Sequence, residues 1–500
     1  MLTTGVDVAD GSGSSHDGVA DTFKFTDASE KITATFAQLS KGDQLIDLSN
    51  ADNDTLDLSL DINNVKQTIG SKNGATLVNI EELDITSRGA KNITFDNTIS
   101  AAGLKTIKIA GAFLNDKGND GNGFTFSGNV LKTLTTIDAS AITAGNVNID
   151  ASKATQDLTI TGPNSAASIN GGSGNDTITG QGTINAGAGD DIITITGKSD
   201  VTGGEGKDTF DVQAGKVTIT DLGSGKDIIK VAAGAEVTAN VGSGWTATAD
   251  STNDGTLTFK LGSGANVNLV ELVGHKNVNL DVASGTGSAT VTGFTATELT
   301  KVGSGAQLNI IGFGVDEEGV TIDMSKADVD GSGKVSIKGT AGDDIITTAA
   351  TGSTTVDAGA GNDTISLGAG ADVVDFSSTV LAANANNVTG FDKTADKLQF
   401  DKSTFGGIAA SAGSSVVITT VAEKAGSNEI YVDTADNIAS LSSGGAAKSI
   451  AIVTTANSTY KSGDIIYDED GNFSAGAIVI GNIGTVAAGD LTSANFVVVA

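Results

Sequence analysis

The chain has 500 residues, with 67 Gly, one Pro, no Cys and two His, and its 60 acidic against 29 basic side chains give a formal net charge of −31. The missing Cys excludes a disulfide framework, a thiolate metal site and a cysteine nucleophile, and two His as far apart as His16 and His275 exclude a histidine-centred metal or catalytic site. The acidic surface excludes binding to nucleic-acid phosphates, and 38% hydrophobic residues with a single Pro are not the composition of a disordered polar chain.

Aromatic residues make up only 4% of the chain, too few to fill a large globular core. Val, Ile, Leu, Ala and Thr suit thin, repetitive β-structure instead. No apolar run approaches the roughly 18 residues of a membrane span. The best candidate, Ala475–Ala488, is broken by Gly and by Asn482. The opening Met1-Leu-Thr-Thr-Gly-Val-Asp7 has no basic-then-apolar leader. It places Met1 almost inside the repeats, which points to a larger N-terminal part outside this chain.

In chain order, residues 1–135 read as a β-rich region of weak repeats. Asp17 and Asp21 sit there in a degenerate Gly-Asp copy, and Asn115–Asp120 reads as an acidic turn. Short segments such as Leu104–Ile109, Leu134–Asp138, Asn146–Asp150 and Asp157–Thr161 alternate apolar and polar residues, the period of a strand with one face inward. Asn148-Ile-Asp-Ala-Ser-Lys-Ala154 recurs as Thr321-Ile-Asp-Met-Ser-Lys-Ala327, each copy followed by a strand and a Gly-Asp motif. Two related modules are therefore expected, at 136–232 and 321–380, joined by a Gly/Thr/Val-rich β connector at 233–320. Residues 381–500 are richer in aromatics and hold all three Tyr; weak helical turns are expected at Ala435–Leu441 and Ala487–Asn495.

The motif that carries chemistry is a nonapeptide. Residues 171–179 read GGSGNDTIT and fit GGxGxDxUx, with U a large apolar residue, at every fixed position. Related copies are AGAGDDIIT at 186–194, GGEGKDTFD at 203–211, LGSGKDIIK at 222–230, GTAGDDIIT at 339–347, AGAGNDTIS at 358–366 and LGAGADVVD at 367–375. Glycine permits the positive φ that turns carbonyls inward. The sixth-position Asp supplies a hard anionic oxygen, and calcium takes six to eight oxygens. Position eight points the other way, into the core. With starts 15, 17 and 19 residues apart, most copies recur once per turn of a solenoid. Asp176, Asp191, Asp208 and Asp227 are expected to form one column and Asp344 and Asp363 a second, with calcium between successive loops. Only the copies at 358 and 367 lie one nonapeptide apart, which puts motifs on both edges there. The candidate ligand positions are Gly171, Ser173, Asn175 and Asp176; Ala186, Ala188, Asp190 and Asp191; Gly203, Glu205 and Asp208; Gly223, Gly225 and Asp227. The second module adds Gly339, Ala341, Asp343 and Asp344; Ala358, Ala360, Asn362 and Asp363; and Ala369 with Asp372.

This pattern resembles the RTX repeat family, whose repeats form calcium-loaded parallel β-rolls and β-helices. The expected fold is accordingly all-β: parallel β-solenoid modules with calcium-binding turns and a C-terminal β cap. Other acidic segments read as plain turns. Asp328-Val-Asp330-Gly-Ser-Gly333 opens like an EF-hand, but its twelfth position is Gly339 rather than Glu, and Asp468-Glu-Asp470 is a turn of the same kind. No nucleophile elbow, zinc-binding HExxH, P-loop or dinucleotide fingerprint occurs, so an enzyme is not expected. Trp245 and both His read as packing or surface residues.

Val388–Phe400 is similar to the segment that closes RTX rolls, and Ile465–Asn472 with Asp490–Ala500 resembles the C-terminal end of type I secreted proteins. The Thr-Ile-Asp-Ala-Ser strands and Asn79-Ile-Glu-Glu-Leu-Asp-Ile85 resemble bacterial S-layer proteins of the RTX, type I secreted kind. The resemblance implies several bound calcium ions, export by a type I secretion machinery, an extracellular place on the bacterial cell surface, and a lattice of like copies. It implies contact with lipopolysaccharide only through a region outside this chain. The alternatives are a secreted RTX adhesin or biofilm-matrix protein and, behind it, a secreted β-helix enzyme acting on polysaccharide.

Overall fold

Alternation at period two, with Val, Ile, Leu and Thr at the alternating sites, produces strands that each bury one face. In Thr55–Leu60 every second residue is buried. A computed structural model describes residues 6–8, 22–24, 28–35, 44–47, 52–60, 67–69, 76–90, 92–95, 101–113, 123–126, 130–145, 147–223, 227–273, 278–282, 288–294, 300–312, 319–376, 385–405, 417–419, 429–441, 449–474 and 476–499. The fold is all-β, a parallel β-solenoid, as the sequence predicts. The chain forms two compact units. One comprises Met1–Asn240 with Thr248–Leu257, the other Val241–Ala247 with Thr258–Ala500. They divide inside the segment read as the connector.

In the first unit, strands of successive turns pair in parallel and identical positions stack. One stack runs Ile32, Leu56, Leu83, Ile107, Ile137, Ile160, Ile178, Ile193, Phe210 and Ile229, each the register partner of the next. All ten are buried. Facing them is a second stack of Ile93, Phe124, Ile149, Ile169, Ile184, Val201, Ile219 and Ala239. Two sheet faces one side chain deep therefore make the core, which is why few aromatics suffice. The half-turn Gly180–Asn185, which lacks the nonapeptide pattern, still pairs as strand: Gly182–Asn185 match Ala167–Asn170 residue for residue.

The second unit repeats this plan. Trp245, Val267, Val291, Ile310, Ile337, Val356, Val374, Leu398 and Phe496 form one stack. Ile322, Ile346, Ile365 and Val388 form another. Trp245 packs on Phe259 with ring centroids 5.4 Å apart, a packing role as expected. Towards the C-terminus the strands Ser449–Val453, Asp464–Asp468 and Ile478–Asn482 pair antiparallel. Phe376, Phe400, Phe405 and Tyr467 form a chain of ring contacts at 5.4–5.5 Å. Ala435–Ala439 is a short helix capped by Thr434, and Ser493–Asn495 is a 3-10 turn. Among the described residues no helix is long and apolar enough to cross a membrane.

Candidate metal centre

Parallel stacking converts a sequence position into a column. The residue just before each strand on one face of the first unit lies above its counterpart in the next turn. In order these are Glu30, Asp54, Glu81, Lys105, Thr135, Leu158, Asp176, Asp191, Asp208 and Asp227. The column is acidic at both ends and non-acidic between. Asp176, Asp191, Asp208 and Asp227, the sixth positions of the nonapeptides, thus stack as the spacing predicts, and each is at most 1% exposed.

These buried carboxylates are tied to backbone amides of the turn before. Leu158 donates its N–H to Asp176 Oδ1 at 2.8 Å, Asp176 to Asp191 Oδ1 at 2.6 Å, Asp191 to Asp208 Oδ1 at 3.0 Å and Asp208 to Asp227 Oδ1 at 3.1 Å. A second ladder runs in the opposite sense on the exposed side of the loops. Asn175 donates its N–H to Asp157 Oδ1 at 2.7 Å, Asp190 to Asn175 Oδ1 at 2.8 Å and Lys207 to Asp190 Oδ1 at 2.8 Å. Position five is thus an outward structural link, and Lys207, with no acceptor in its side chain, cannot extend it.

The second module is built alike. Val320 donates to Asp344 Oδ1 at 2.6 Å, Asp344 to Asp363 Oδ1 at 2.9 Å and Asp363 to Asn386 Oδ1 at 3.3 Å. Its outer ladder links Asn362 to Asp343 at 2.7 Å and Ala385 to Asn362 at 3.1 Å. Asp372, nine residues after Asp363, joins the other edge: it accepts from Thr354 N–H at 2.8 Å, and its own N–H meets Asp396 Oδ1 at 2.8 Å.

The second oxygens of these carboxylates decide what the columns can hold. Asp176 Oδ2 and Asp227 Oδ2 accept from Gly172 and Gly223, both at 2.8 Å. Asp191 Oδ2, Asp208 Oδ2 and Asp363 Oδ2 are buried with no hydrogen-bond partner among the described residues. For Asp208 the reason is visible: the amides of Gly203 and Gly204 donate to Asp221, at 3.0 and 2.8 Å. A buried carboxylate oxygen without a partner is costly. Burial, then the neighbouring carboxylates, push Asp191 and Asp363 up to about 7 and Asp208 up to about 6. Burial likewise raises Asp176, Asp227 and Asp372.

At Asp176, Asp208 and Asp344 the Oδ2 faces the glycine at motif position one, whereas in the motifs of Asp191 and Asp363 that position is Ala186 and Ala358. A Cβ on Gly171 would strike both Asp176 Oδ2 and the Ala186 carbonyl, one on Gly339 both Asp344 Oδ2 and the Ala358 carbonyl, and one on Gly203 would strike Asp208 Oδ2. At Gly171 and Gly339 carboxylate and carbonyl oxygens therefore converge where the absent side chain leaves the space clear. Gly187 and Gly204, at φ 122° and 112°, bring the next loop so close that a Cβ would collide with the carbonyls of Gly172 and Gly187. Hard oxygens, anionic charge and no nitrogen or sulfur donor are what calcium requires, so the residues present fit that ion.

Of the expected ligand positions, the sixth-position aspartates and the position-one carbonyls of Ala186 and Ala358 converge. The side chains of Ser173, Asn175, Asp190, Glu205, Ala341, Asp343, Asn362 and Ala369 lie on the exposed face; positions three and five can offer only backbone carbonyls to the column. The structure places Ala188 and Ala360 half-buried in the loops, whereas Gly225, His16, Asp17, Asp21, His275 and 115–120 lie outside the described residues. Asp328 and Asp330 are exposed. Asp468 accepts the amides of Asp470 and Asn472 at 3.1 and 2.7 Å, a plain acidic turn. Sequence reasoning missed Asp157, Asp221, Asn386 and Asp396, which extend or cap the columns without a glycine motif of their own. No family model, curated protein or solved structure matches this chain.

Proposed function

We propose that this chain is a structural protein of the RTX S-layer kind: exported by a type I system, folded by calcium outside the cell, and assembled with its own copies into a two-dimensional surface layer. The observation that carries the reading is the stacking of buried aspartates in columns, in which Asp191, Asp208 and Asp363 each keep an oxygen with no partner among the described residues. Without a cation, such a column places like charges about one strand spacing apart inside a core only two side chains deep. Asp176, Asp191, Asp208 and Asp227 would hold the ions of the first module, and Asp344, Asp363 and Asp372 those of the second, aided by loop carbonyls. Bound calcium supplies the positive charge that the columns lack. Extracellular calcium modules bind at roughly 0.1–1 mM, far above cytosolic levels, so the chain stays unfolded for export and binding free energy becomes folding free energy.

Assembly follows from the same charge. At −31 monomers repel, and calcium lowers that charge while fixing long, regular faces. The test is light scattering with electron microscopy of the purified chain in millimolar calcium and in sodium chloride of matched ionic strength. Ordered sheets in calcium alone support a layer. A monomer in both contradicts it and leaves a secreted adhesin or matrix protein.

A further inference from the structure

The acidic column has a second end, far in sequence from the seven nonapeptides. Strand Gln44–Ile46 is followed by Asp47, and strand Thr55–Leu60 is preceded by Asp52 and Asp54. One carboxylate oxygen from each of these three aspartates lies within 4.8 Å of the others. Asp54 occupies the register position that Asp176 occupies later in the unit, and it is held in the same way: Glu30 donates its N–H to Asp54 Oδ1 at 2.8 Å, and Asp54 N–H meets Glu81 Oε2 at 3.0 Å. Asp54 is fully buried, and its Oδ2 has no hydrogen-bond partner among the described residues. Asp47 is 2% exposed. Lys31, on a strand of these turns, is engaged with Asp57 at 3.0 Å and Asp84 at 3.2 Å.

We propose that Asp47, Asp52 and Asp54 form a calcium site of a second kind, built from three carboxylates rather than from glycine loops. Oxygens bound to one calcium at roughly 2.3–2.6 Å can lie no more than about 5 Å apart, and this trio meets that limit. Three carboxylates at such distances repel, and one of them is sealed from water with an oxygen that nothing described satisfies. A hard divalent cation answers both conditions, whereas a neutral ligand or an anion answers neither. The site stands apart from the Gly-Asp repeats and does not depend on them. Its role is to tie Asp47, at the end of one strand, to Asp52 and Asp54, at the approach of the next.

The test is equilibrium dialysis of the full chain against radiolabelled calcium, comparing the wild type, Asp52→Asn/Asp54→Asn and Asp191→Asn. The proposal expects the double variant to bind one calcium fewer per chain while Asp191→Asn keeps that ion. The amide oxygen of Asn can still accept the Glu30 N–H, and the substitution removes like charge. In chelator the double variant is therefore expected to melt no lower than the wild type. An unchanged calcium count in the double variant overturns the site, as does a lower melting temperature in chelator, which would mark a purely structural role. Calcium bound at the repeats alone would defeat this site and leave the proposed function standing; loss of the repeat ions with this one retained would do the reverse.

Discussion

The backbone N–H of Asp191 donates to Oδ1 of Asp208, 17 residues on, at 3.0 Å. The Oδ1 of Asp191 in turn accepts from Asp176 N–H at 2.6 Å. One residue thus links three turns of the solenoid through its backbone and its side chain, and the remaining oxygen of that side chain is buried without a partner among the described residues. A residue so placed both joins the loops and makes the site anionic, which lets substitution separate the two roles.

Asp191→Ala removes the acceptor of the Asp176 amide and a calcium oxygen together. In millimolar calcium it is expected to destabilise the first unit by about 1–3 kcal/mol from the stranded amide alone, read by denaturant unfolding. Asp191→Asn keeps an acceptor and loses the charge. In chelator it should match or exceed wild-type stability, and in calcium it should fall below it. An Asn variant that behaves like Ala in both conditions would contradict the charge role.

Stability should depend on pH with opposite signs in the two conditions. In the metal-free fold Asp191 and Asp363 sit at about 7 and Asp208 at about 6, against roughly 4 in an unfolded chain. Between those values the folded state binds more protons than the unfolded one. The stability these groups contribute is therefore full below about pH 4 and is lost as pH rises to about 7. Calcium needs ionised carboxylates, so its contribution grows over the same window. Thermal melts in chelator should be higher at pH 5 than at pH 8, and melts in calcium higher at pH 8; the same order in both would contradict the account.

Gly203→Ala tests the gap at motif position one. Its Cβ would strike both Asp208 Oδ2 and the Phe210 ring, so the variant is expected to weaken calcium binding in calorimetric titration. By comparison, Phe210→Ala, which empties the fully buried core position two residues beyond Asp208, should cost about 3–5 kcal/mol of stability with and without calcium.

How far the sequence discloses this architecture depends on which regularity is being read. In Asp176/Ile178, Asp191/Ile193 and Asp208/Phe210 a fixed offset places the carboxylate in the column and the apolar residue in the core. Steps of 15, 17 and 19 residues are close enough to one turn that the stacking can be read directly. Earlier, the steps are 24 and 27 residues from Glu30 to Asp54 to Glu81, with loops of unequal length and no glycine signature, so the same column is hidden. Asn386 and Asp396 complete columns from loops that lack the motif, and Asp221 reaches two glycine amides from the preceding motif's loop. Only three-dimensional register brings these residues into line.

Export offers a separate check. Residues 465–500 include Phe496–Val499, which pair with Lys397–Asp401, so their removal also costs folded contacts. Deleting 465–500 is expected to leave the protein inside the producing cell by fractionation; secretion of the shortened chain at the normal level would contradict a signal there.

The central claim is that calcium in the aspartate columns supplies folding free energy. Its most direct measurement is far-ultraviolet circular dichroism of the purified chain, with thermal melts, in chelator and in millimolar calcium at pH 8 and matched ionic strength. The account predicts a marked loss of β-signal in chelator, restored by calcium together with a large rise in melting temperature. Full β-signal in chelator with the same melting temperature in both would contradict it.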